Sequence, residues 1–255
     1  YNYILVFLNP TSDFSIDTKK GCQPLPIVVT NNSTGSNNFS WDFGDGTNST
    51  SGNANFVKTY SNTSAITEFN DIRLITETVN GCKDTFQRTV EVHPFIQAAF
   101  TSNDTGCSPL NVSFVIQSFG AQSFMWKFGD GGTSPVVSPS HTYTNTTNSN
   151  QSFLAELIAI SVKGCLDTAN QNILVYPKPT ASYTADFMSG CQPLEVNFTQ
   201  SSTLADLCSL DYGDQDTFKL CRPISTHIYT NTGSFFPRTF NSELTVTTTN
   251  GCSST

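Results

Sequence analysis

The sequence predicts an all-β protein, built as a tandem array of antiparallel β-sandwich modules, and three observations support this prediction. Gly-Cys-x-Pro-Leu recurs at 21–25, 106–110 and 190–194, so the 255-residue chain repeats at a pitch of about 85 residues. Short runs rich in Val, Ile, Thr, Phe and Tyr alternate with Gly, Pro, Asn and Asp, which is typical of strands joined by turns. No long segment keeps helical periodicity. Modules of this size made of short strands are expected to bury their apolar faces in a sandwich.

The repeat also predicts the domain boundaries. Ile4-Leu5-Val6 stands before Phe14 as Val90-Glu91-Val92 stands before Phe100, so we interpret the chain as a segment of a longer array. Its short, proline-containing linkers predict a semi-rigid rod of modules. The expected divisions are the last strand of a preceding module at 1–9, module 1 at 10–93, module 2 at 94–176, and module 3 at 177–255, which stops before its last strand.

One strand and its turn are especially clear in the first two repeats. Alternation along 39–43 and 124–128 places Trp41 and Trp126 on the inward face. Each strand runs into a Gly-Asp-Gly turn, in which glycine accepts a positive φ and aspartate bonds nearby amides. The structural motif therefore comprises Trp41, Gly44, Asp45 and Gly46 in the first repeat and Trp126, Gly129, Asp130 and Gly131 in the second.

The eight cysteines predict disulfides made outside the cytoplasm. Six of them fall at equivalent repeat positions, and two lie together in the third module. No Cys-x-x-Cys pair suggests zinc. We expect one bond inside each module and a further one across the third turn, where the Trp is lost to Leu210. The expected pairs are Cys22–Cys82, Cys107–Cys165, Cys191–Cys252 and Cys208–Cys221.

These residues carry a resemblance to a known family. Trp-Asp-Phe-Gly-Asp-Gly-Thr at 41–47, followed by Tyr60 and by a strand ending at Asn80-Gly81, resembles the polycystic kidney disease (PKD) repeat. The later His-x-Tyr of that family appears at 141–143 and 227–229. The resemblance implies an immunoglobulin-like sandwich in each module. The Gly-Cys framing resembles PKD repeats of Bacteroidota surface proteins, such as gliding-motility adhesins of the SprB type, which the type IX system exports.

Composition bears on the partners. The net charge is −8 and only 13% of the residues are charged, so the chain lacks the basic footprint expected for nucleic acid. It also lacks the basic patch that favours anionic membranes, and no apolar run is long enough for membrane insertion. We expect neighbouring modules of the same chain as partners, and a surface polysaccharide or protein ligand bound by modules inside or outside this segment.

Aspartates beside the turns allow two interpretations. Some PKD modules bind calcium, which takes carboxylate and carbonyl oxygens. The candidate ligands are Asp42, Asp45, Asp211 and Asp214. Lys127 replaces the first of these in the second repeat, which favours turn capping and no cofactor.

The histidines do not suggest an enzyme. His141 and His227 occupy one repeat position, where the first repeat has Lys58, which favours a structural role over a catalytic one. His93 stands at a module junction without an evident partner in the sequence. No Gly-x-Ser-x-Gly, His-Glu-x-x-His or phosphate loop is present.

Two further surface roles are considered. Asp-Thr pairs followed by an apolar residue resemble the O-glycosylation signal of Bacteroidota, which makes Thr85 and Thr168 candidates. Aromatic residues outside the expected core would suit a sugar-binding face, and these are Tyr183, Phe187, Phe235 and Phe236.

Together these observations predict a non-enzymatic, structural or adhesive segment of a large secreted cell-surface protein. A stalk of PKD-like modules in an adhesin or filament, including a gliding adhesin, fits them best. The alternative is a set of polymer-binding spacer modules in a secreted hydrolase of the chitinase or protease type.

Overall fold

The computed structural model describes residues 2–233 and 236–255, and it confirms the all-β fold class. The described residues form strands, turns and bends without an α-helix, so none of them belongs to a helix that could cross a membrane. Two compact units are present. The first comprises Tyr1–Ala99, Gln117–Met125 and Leu157–Ala169, and the second comprises Phe100–Ile116, Trp126–Glu156 and Asn170–Thr255. The division into three modules stays a prediction.

The first repeat forms two sheets, as expected of a sandwich. One sheet has the order β1-β3-β6 and the other β2-β8-β7-β4-β5. Most neighbours are antiparallel, but β2 runs parallel to the end of β8, with Cys22 opposite His93. The strands are β1 (Phe14–Ile16), β2 (Lys20–Cys22), β3 (Leu25–Asn31), β4 (Asn38–Asp42), β5 (Asn48–Ser49), β6 (Asn55–Tyr60), β7 (Glu68–Glu77) and β8 (Lys83–His93).

The second repeat has the corresponding strands. The long sheet has the order β10-β17-β16-β13-β14, while β11 pairs with β15 and β12 with β9. The parallel contact recurs, with Cys107 opposite Tyr176. The strands are β9 (Phe100–Thr101), β10 (Thr105–Cys107), β11 (Leu110–Ser113), β12 (Val115–Ile116), β13 (Ser123–Lys127), β14 (Thr133–Ser134), β15 (Ser140–Tyr143), β16 (Gln151–Ile160) and β17 (Leu166–Tyr176).

The third repeat is built from fewer strands. Its sheets have the orders β18-β19-β22 and β21-β20-β23-β24. No described strand corresponds to β2 or β10, and Cys191 lies in a bend. The strands are β18 (Tyr183–Ala185), β19 (Leu194–Gln200), β20 (Leu207–Asp211), β21 (Thr217–Phe218), β22 (Ile224–Tyr229), β23 (Glu243–Thr247) and β24 (Ser253–Ser254).

The tryptophans lie in the core, as the alternation predicts. Trp41 and Trp126 are both 0% exposed. Trp41 packs edge-on against Phe14 from the opposite sheet, with ring centroids 5.1 Å apart. Each indole also donates a hydrogen bond to a backbone carbonyl at 3.0 Å, that of Ser51 or Val136. A large apolar ring with its one polar atom satisfied is stable at such a position.

The two glycines of the Gly-Asp-Gly turn have different structural roles. Gly44 has a φ of 76°, and a Cβ there would lie 2.6 Å from the backbone nitrogen of Asp71, so only glycine fits. Gly46 has a φ of 83° but faces open space. The third repeat replaces that second glycine with Gln215, at a φ of 80°. The position therefore tolerates a side chain at the cost of backbone strain alone.

The Gly-Cys-x-Pro-Leu motif forms a loop in which glycine packs on leucine. A Cβ on Gly21 would lie 2.7 Å from a methyl carbon of Leu25, and the counterparts at 106 and 190 show 2.5 and 2.6 Å. The X-Pro bond of this loop is cis in all three repeats. The glycine–leucine contact and the cis bond thus recur in all three repeats, and a cysteine follows the glycine each time.

Residues 2–9 form no strand. Their apolar side chains are exposed, with Ile4 at 93%, Leu5 at 75% and Val6 at 83%. Their assignment to a preceding module stays a prediction.

Candidate functional site: the cysteines that join repeats

The cysteine pairing differs from the prediction. Cys22 is bonded to Cys165, 143 residues away, and Cys107 is bonded to Cys252, 145 residues away. Each bond joins the first cysteine of one repeat to the second cysteine of the next. The expected pairs Cys22–Cys82, Cys107–Cys165 and Cys191–Cys252 are therefore wrong, and Cys82 and Cys191 are free. Cys208 and Cys221 are bonded to each other, which is the pair that the sequence predicts.

Strand length explains why the two cysteines of one repeat cannot form a disulfide with each other. Cys82 directly precedes β8, whereas Cys22 lies opposite His93 at the other end of that strand. An 11-residue strand spans about 33 Å at 3.3 Å per residue. A disulfide requires Cα atoms within about 7 Å of each other. The two cysteines of one repeat therefore lie at opposite ends of the sandwich, and spacing alone does not reveal this.

His93 lies beside the first of these bonds, which corrects the expectation that it has no partner. Its Nδ1 is 3.7 Å from Cys165 Sγ and 3.9 Å from Cys22 Sγ. Its Nε2 lies 3.6 Å from a carboxylate oxygen of Glu91, which also accepts a hydrogen bond from Lys163 Nζ at 3.2 Å. Polar contacts therefore accompany the covalent link between the first two repeats.

In the part of the chain that the structure describes, one group of side chains has the spacing of metal ligands. The ligand atoms of Cys22, His93 and Cys165 lie within 4.8 Å of one another. Zinc and copper sites of this kind need thiolates. Both sulfur atoms are used in the disulfide, so the oxidised protein offers no thiolate there.

The turn aspartates contact the Lys or His that stands two residues before the tyrosine of each repeat. Asp45 accepts hydrogen bonds from the amide and hydroxyl of Thr47, and its other oxygen lies 2.6 Å from Lys58 Nζ. In the second repeat His141 Nε2 takes the lysine's place, 2.6 Å from Asp130 Oδ2. The imidazole stacks on Phe128 with ring centroids 4.0 Å apart.

The third repeat repeats this arrangement. His227 Nε2 lies 2.7 Å from Asp214 Oδ2, and its ring stacks on Tyr212 at 4.0 Å. Among the described residues, both histidines hydrogen-bond to carboxylates and contact aromatic rings. A structural pairing with the turn therefore accounts for the His or Lys at this position.

The contacts of the turn aspartates lower their carboxyl pKa values. Burial alone would raise the pKa of Asp130, but the hydrogen bonds from His141 and the Gly132 amide outweigh it, so the pKa lies below the ordinary 3.8. The pKa of Asp45 is also lowered, because hydrogen bonds from Lys58 and Thr47 outweigh the effect of burial. These carboxylates are therefore ionised at neutral pH.

The calcium candidates already accept protein hydrogen bonds. Asp42 Oδ1 accepts the Gly44 amide at 3.0 Å, and Asp211 Oδ1 accepts the Gly213 amide at 2.8 Å. Asp45 and Asp214 are engaged through both oxygens by turn amides and by Lys58 or His227. Lys127 pairs with Glu156 at 2.7 Å. These contacts favour the turn-capping interpretation.

The glycosylation candidates are exposed, and their preceding aspartates have a structural role. Thr85 and Thr168 are both exposed on their strands. Asp84 accepts a hydrogen bond from the Ser12 amide at 2.7 Å, and Asp167 accepts one from the Ala98 amide at 2.7 Å. Each carboxylate thus holds the chain that leads into its repeat, which explains the aspartate without a glycan. Modification of the threonines stays a prediction.

The sugar-binding candidates differ in their exposure. Tyr183 donates a hydrogen bond to the Ser242 carbonyl at 2.7 Å and packs against the third core. Phe187 is 56% exposed and Phe236 78% exposed. Phe235 lies outside the described residues. Phe187 lines a cavity of about 730 Å³ that also contains Cys191 and Arg238.

Comparison with known proteins shows similarity of a general kind. No protein-family model matches this chain, and no curated protein sequence matches it. Among solved structures, the ICAM-5 D1-D4 ectodomain fragment is 12% identical with a TM-score of 0.46, covering 96% of this chain and 74% of that one. A structure of carbohydrate-binding modules from the β-sandwich superfamily is 12% identical with a TM-score of 0.32, covering 93% and 84%. Sidekick-1 immunoglobulin domains 1–5 give 10% identity and a TM-score of 0.34, covering 93% and 52%. At these scores the likeness carries no functional information.

Proposed function

We propose that the chain is a non-enzymatic, load-bearing segment of a large extracellular protein, a stalk of PKD-like modules in a cell-surface adhesin or filament. The observation that carries this proposal is the pair of disulfides that join different repeats. The bonds overlap along the chain, because Cys107 of the second bond lies before Cys165 of the first. Each repeat is thus fastened to its neighbour by a second covalent connection besides the backbone.

Such a connection suits a part that transmits force. A load on the chain passes through the sulfur atoms, so chain enclosed by a bond cannot be drawn out freely. The linkers support the same role, since Pro94 and the prolines at 177 and 179 restrict the backbone at each junction.

The compartment follows from the redox chemistry. The three disulfides support a location outside the cytoplasm, because such bonds persist where no thiol pool reduces them. The resemblance to PKD repeats of Bacteroidota gliding adhesins supports attachment to a cell surface and export by the type IX system.

The test is the location and size of the protein in the cells that make it. Intact cells are treated briefly with protease, and the protein is followed with an antibody against residues 10–176. Loss of a species of several hundred kilodaltons from intact cells is expected. A protein below about a hundred kilodaltons that is found in the medium and carries a catalytic domain would overturn the proposal.

If the repeats were instead polymer-binding spacer modules of a secreted hydrolase, the protein would be retained on insoluble polysaccharide. One observation favours testing it, namely Phe187 at the mouth of the cavity in the third repeat. We expect no retention on chitin or cellulose. Retention that Phe187→Ala abolishes, while Phe69→Ala on another exposed surface does not, would support polymer binding instead.

A further inference from the structure

The disulfide that joins the first two repeats has a histidine nitrogen beside both of its sulfur atoms. His93 Nδ1 lies 3.7 Å from Cys165 Sγ and 3.9 Å from Cys22 Sγ. The three atoms lie within 4.8 Å of one another. Two cysteine sulfurs and one imidazole nitrogen are a donor set that zinc binds in proteins. Reduction of this disulfide would therefore leave a zinc-type donor set in place.

The distances from the nitrogen to the sulfurs are close to those in a tetrahedral zinc site. With Zn–S bonds of about 2.3 Å and Zn–N bonds of about 2.0 Å, such an ion holds a nitrogen and a sulfur ligand about 3.5 Å apart. The two nitrogen–sulfur distances here are 3.7 and 3.9 Å. The sulfurs themselves have to move apart once the bond is reduced, and rotation about the Cα–Cβ bond of each cysteine allows this.

The other side of the imidazole has the partner that metal-binding histidines commonly have. His93 Nε2 faces a carboxylate oxygen of Glu91 at 3.6 Å, and the same oxygen accepts a hydrogen bond from Lys163 Nζ at 3.2 Å. A carboxylate beside one ring nitrogen favours the proton on that nitrogen and leaves the lone pair on the other. The nitrogen that faces the sulfurs is then the one that can bind a cation.

The backbone places these ligands without help from the disulfide. Cys22 lies opposite His93 in the parallel contact of β2 with β8. Cys165 lies in a turn in which its amide donates to Ser161 Oγ at 3.0 Å, while the Ser161 amide donates to the Cys165 carbonyl at 2.9 Å. His93 and Cys165 are buried and Cys22 is partly exposed. An ion can enter past Cys22, and water from that side can complete a four-coordinate shell.

The second bond between repeats lacks this arrangement. In the second repeat Tyr176 takes the place of His93, and Leu174 takes the place of Glu91. The residue before the last Gly-Cys is Asn250, where the group at the first bond has a lysine. The imidazole, its carboxylate and the lysine therefore occur together at one of two otherwise equivalent bonds. The shared task of joining repeats does not account for them.

We propose that Cys22, His93 and Cys165 form a zinc site that is available only when the disulfide between the two cysteines is reduced. The ion then connects the same two cysteines as the disulfide does, so the first two repeats stay linked in both redox states. The site depends on this group alone and not on attachment to a cell surface, so the two proposals can fail separately.

The exchange between the two forms requires a reductant, and a small-molecule thiol supplies it. Two such thiols become a disulfide, while Cys22 and Cys165 together gain two electrons and two protons. Zinc binding then releases the two protons, because the ligands are thiolates. A disulfide oxidant reverses the sequence and releases the ion. Zinc and the sulfur–sulfur bond therefore exclude each other.

The first experiment identifies the cysteines that zinc protects. The full chain is reduced with a phosphine, placed in buffer with or without zinc, and alkylated without denaturant, and mass spectrometry measures the modification of each cysteine. Zinc should slow the alkylation of Cys22 and Cys165 at least tenfold and leave that of Cys107 and Cys252 unchanged. Equal protection of both pairs, or protection of neither, would overturn the proposal.

The histidine is tested by a substitution that leaves every cysteine in place. His93→Ala should weaken zinc binding to the reduced protein at least tenfold, because loss of even an outer partner of a ligand costs about tenfold. His141→Ala is the matched control, since that imidazole pairs with Asp130 in a turn, and it should leave zinc binding unchanged. Zinc binding to His93→Ala that is as tight as to the unaltered protein would refute the role of the imidazole.

A gain of binding separates the ligand role from an effect on folding. Tyr176→His combined with Leu174→Glu places the same imidazole and carboxylate beside the second bond. In the reduced double variant, zinc should also protect Cys107 and Cys252, which a misfolded chain would not show selectively. Absence of this protection would count against the assigned geometry. Loss of the strand signal in circular dichroism on reduction, without recovery when zinc is added, would also overturn the proposal.

Discussion

The two bonds between repeats limit how far the unfolded chain can be stretched. They tie residue 22 to residue 165 and residue 107 to residue 252. Three chain segments then run in parallel between the two bonds, and the shortest is the 58 residues from Cys107 to Cys165. At about 3.5 Å per extended residue, the distance from Cys22 to Cys252 cannot exceed about 200 Å. The reduced chain, with 230 residues between them, reaches about 800 Å.

Removing one bond changes this limit by a defined amount. In the double variant Cys22→Ser with Cys165→Ser, the shortest path becomes the 85 residues from 22 to 107. The limit then rises to about 300 Å. Single-molecule force spectroscopy, with handles at the two ends of the chain, measures the fully unfolded length of each protein before and after reduction.

The control is the double variant Cys82→Ser with Cys191→Ser. Both residues are free, so the limit should stay at about 200 Å. If the two cysteines of each repeat were instead bonded to each other, the limiting distance from Cys22 to Cys252 in this variant would rise to about 600 Å. The first double variant would reach about the same distance. A marked lengthening of the Cys82→Ser, Cys191→Ser protein would therefore refute the pairing and the reasoning from strand length.

Three further predictions concern stability, each measured by urea unfolding. Tyr60→Phe removes a buried 2.9 Å hydrogen bond and should cost about 1 kcal/mol, whereas Tyr143→Phe should be neutral or stabilising, because that buried hydroxyl has no partner. Asp130→Asn should weaken acid sensitivity, since a lowered carboxyl pKa gives stability that is present above pH 4 and lost as the pH falls below it. Replacing Cys208 and Cys221 by serine opens a 13-residue loop and should cost about 3 kcal/mol.

Each of these has an outcome that would count against it. Equal losses for the two tyrosine variants would mean that the bond from the Tyr60 hydroxyl to the Phe43 carbonyl does not contribute to stability. For Asp130→Asn, an unchanged fall in stability between about pH 5 and about pH 2.5 would show that the lowered carboxyl pKa of Asp130 does not contribute. Loss of the Cys208–Cys221 bond without a shift in the transition would mean that the third hairpin is held by its other contacts.

Local patterns in the sequence were enough for the fold class and the turn. Alternation along a strand fixes which side chains face inward, so the burial of Trp41 and Trp126 followed from the sequence alone. The glycine of the turn was likewise readable, since a positive φ excludes most other residues. The Cys208–Cys221 pair was predictable because a short hairpin brings its two strands together.

The partners of the other cysteines depended on distances that no local pattern contains. The repeat register makes Cys22 and Cys82 look like a pair, but it does not show that β8 separates them by its full length. The parallel contact of β2 with the end of β8 is likewise a long-range contact. Sequence by itself therefore determined that this chain is an all-β protein with repeated motifs and disulfides. Only the tertiary structure decided that the bonds join one repeat to the next, because a disulfide forms between the cysteines that folding brings within reach.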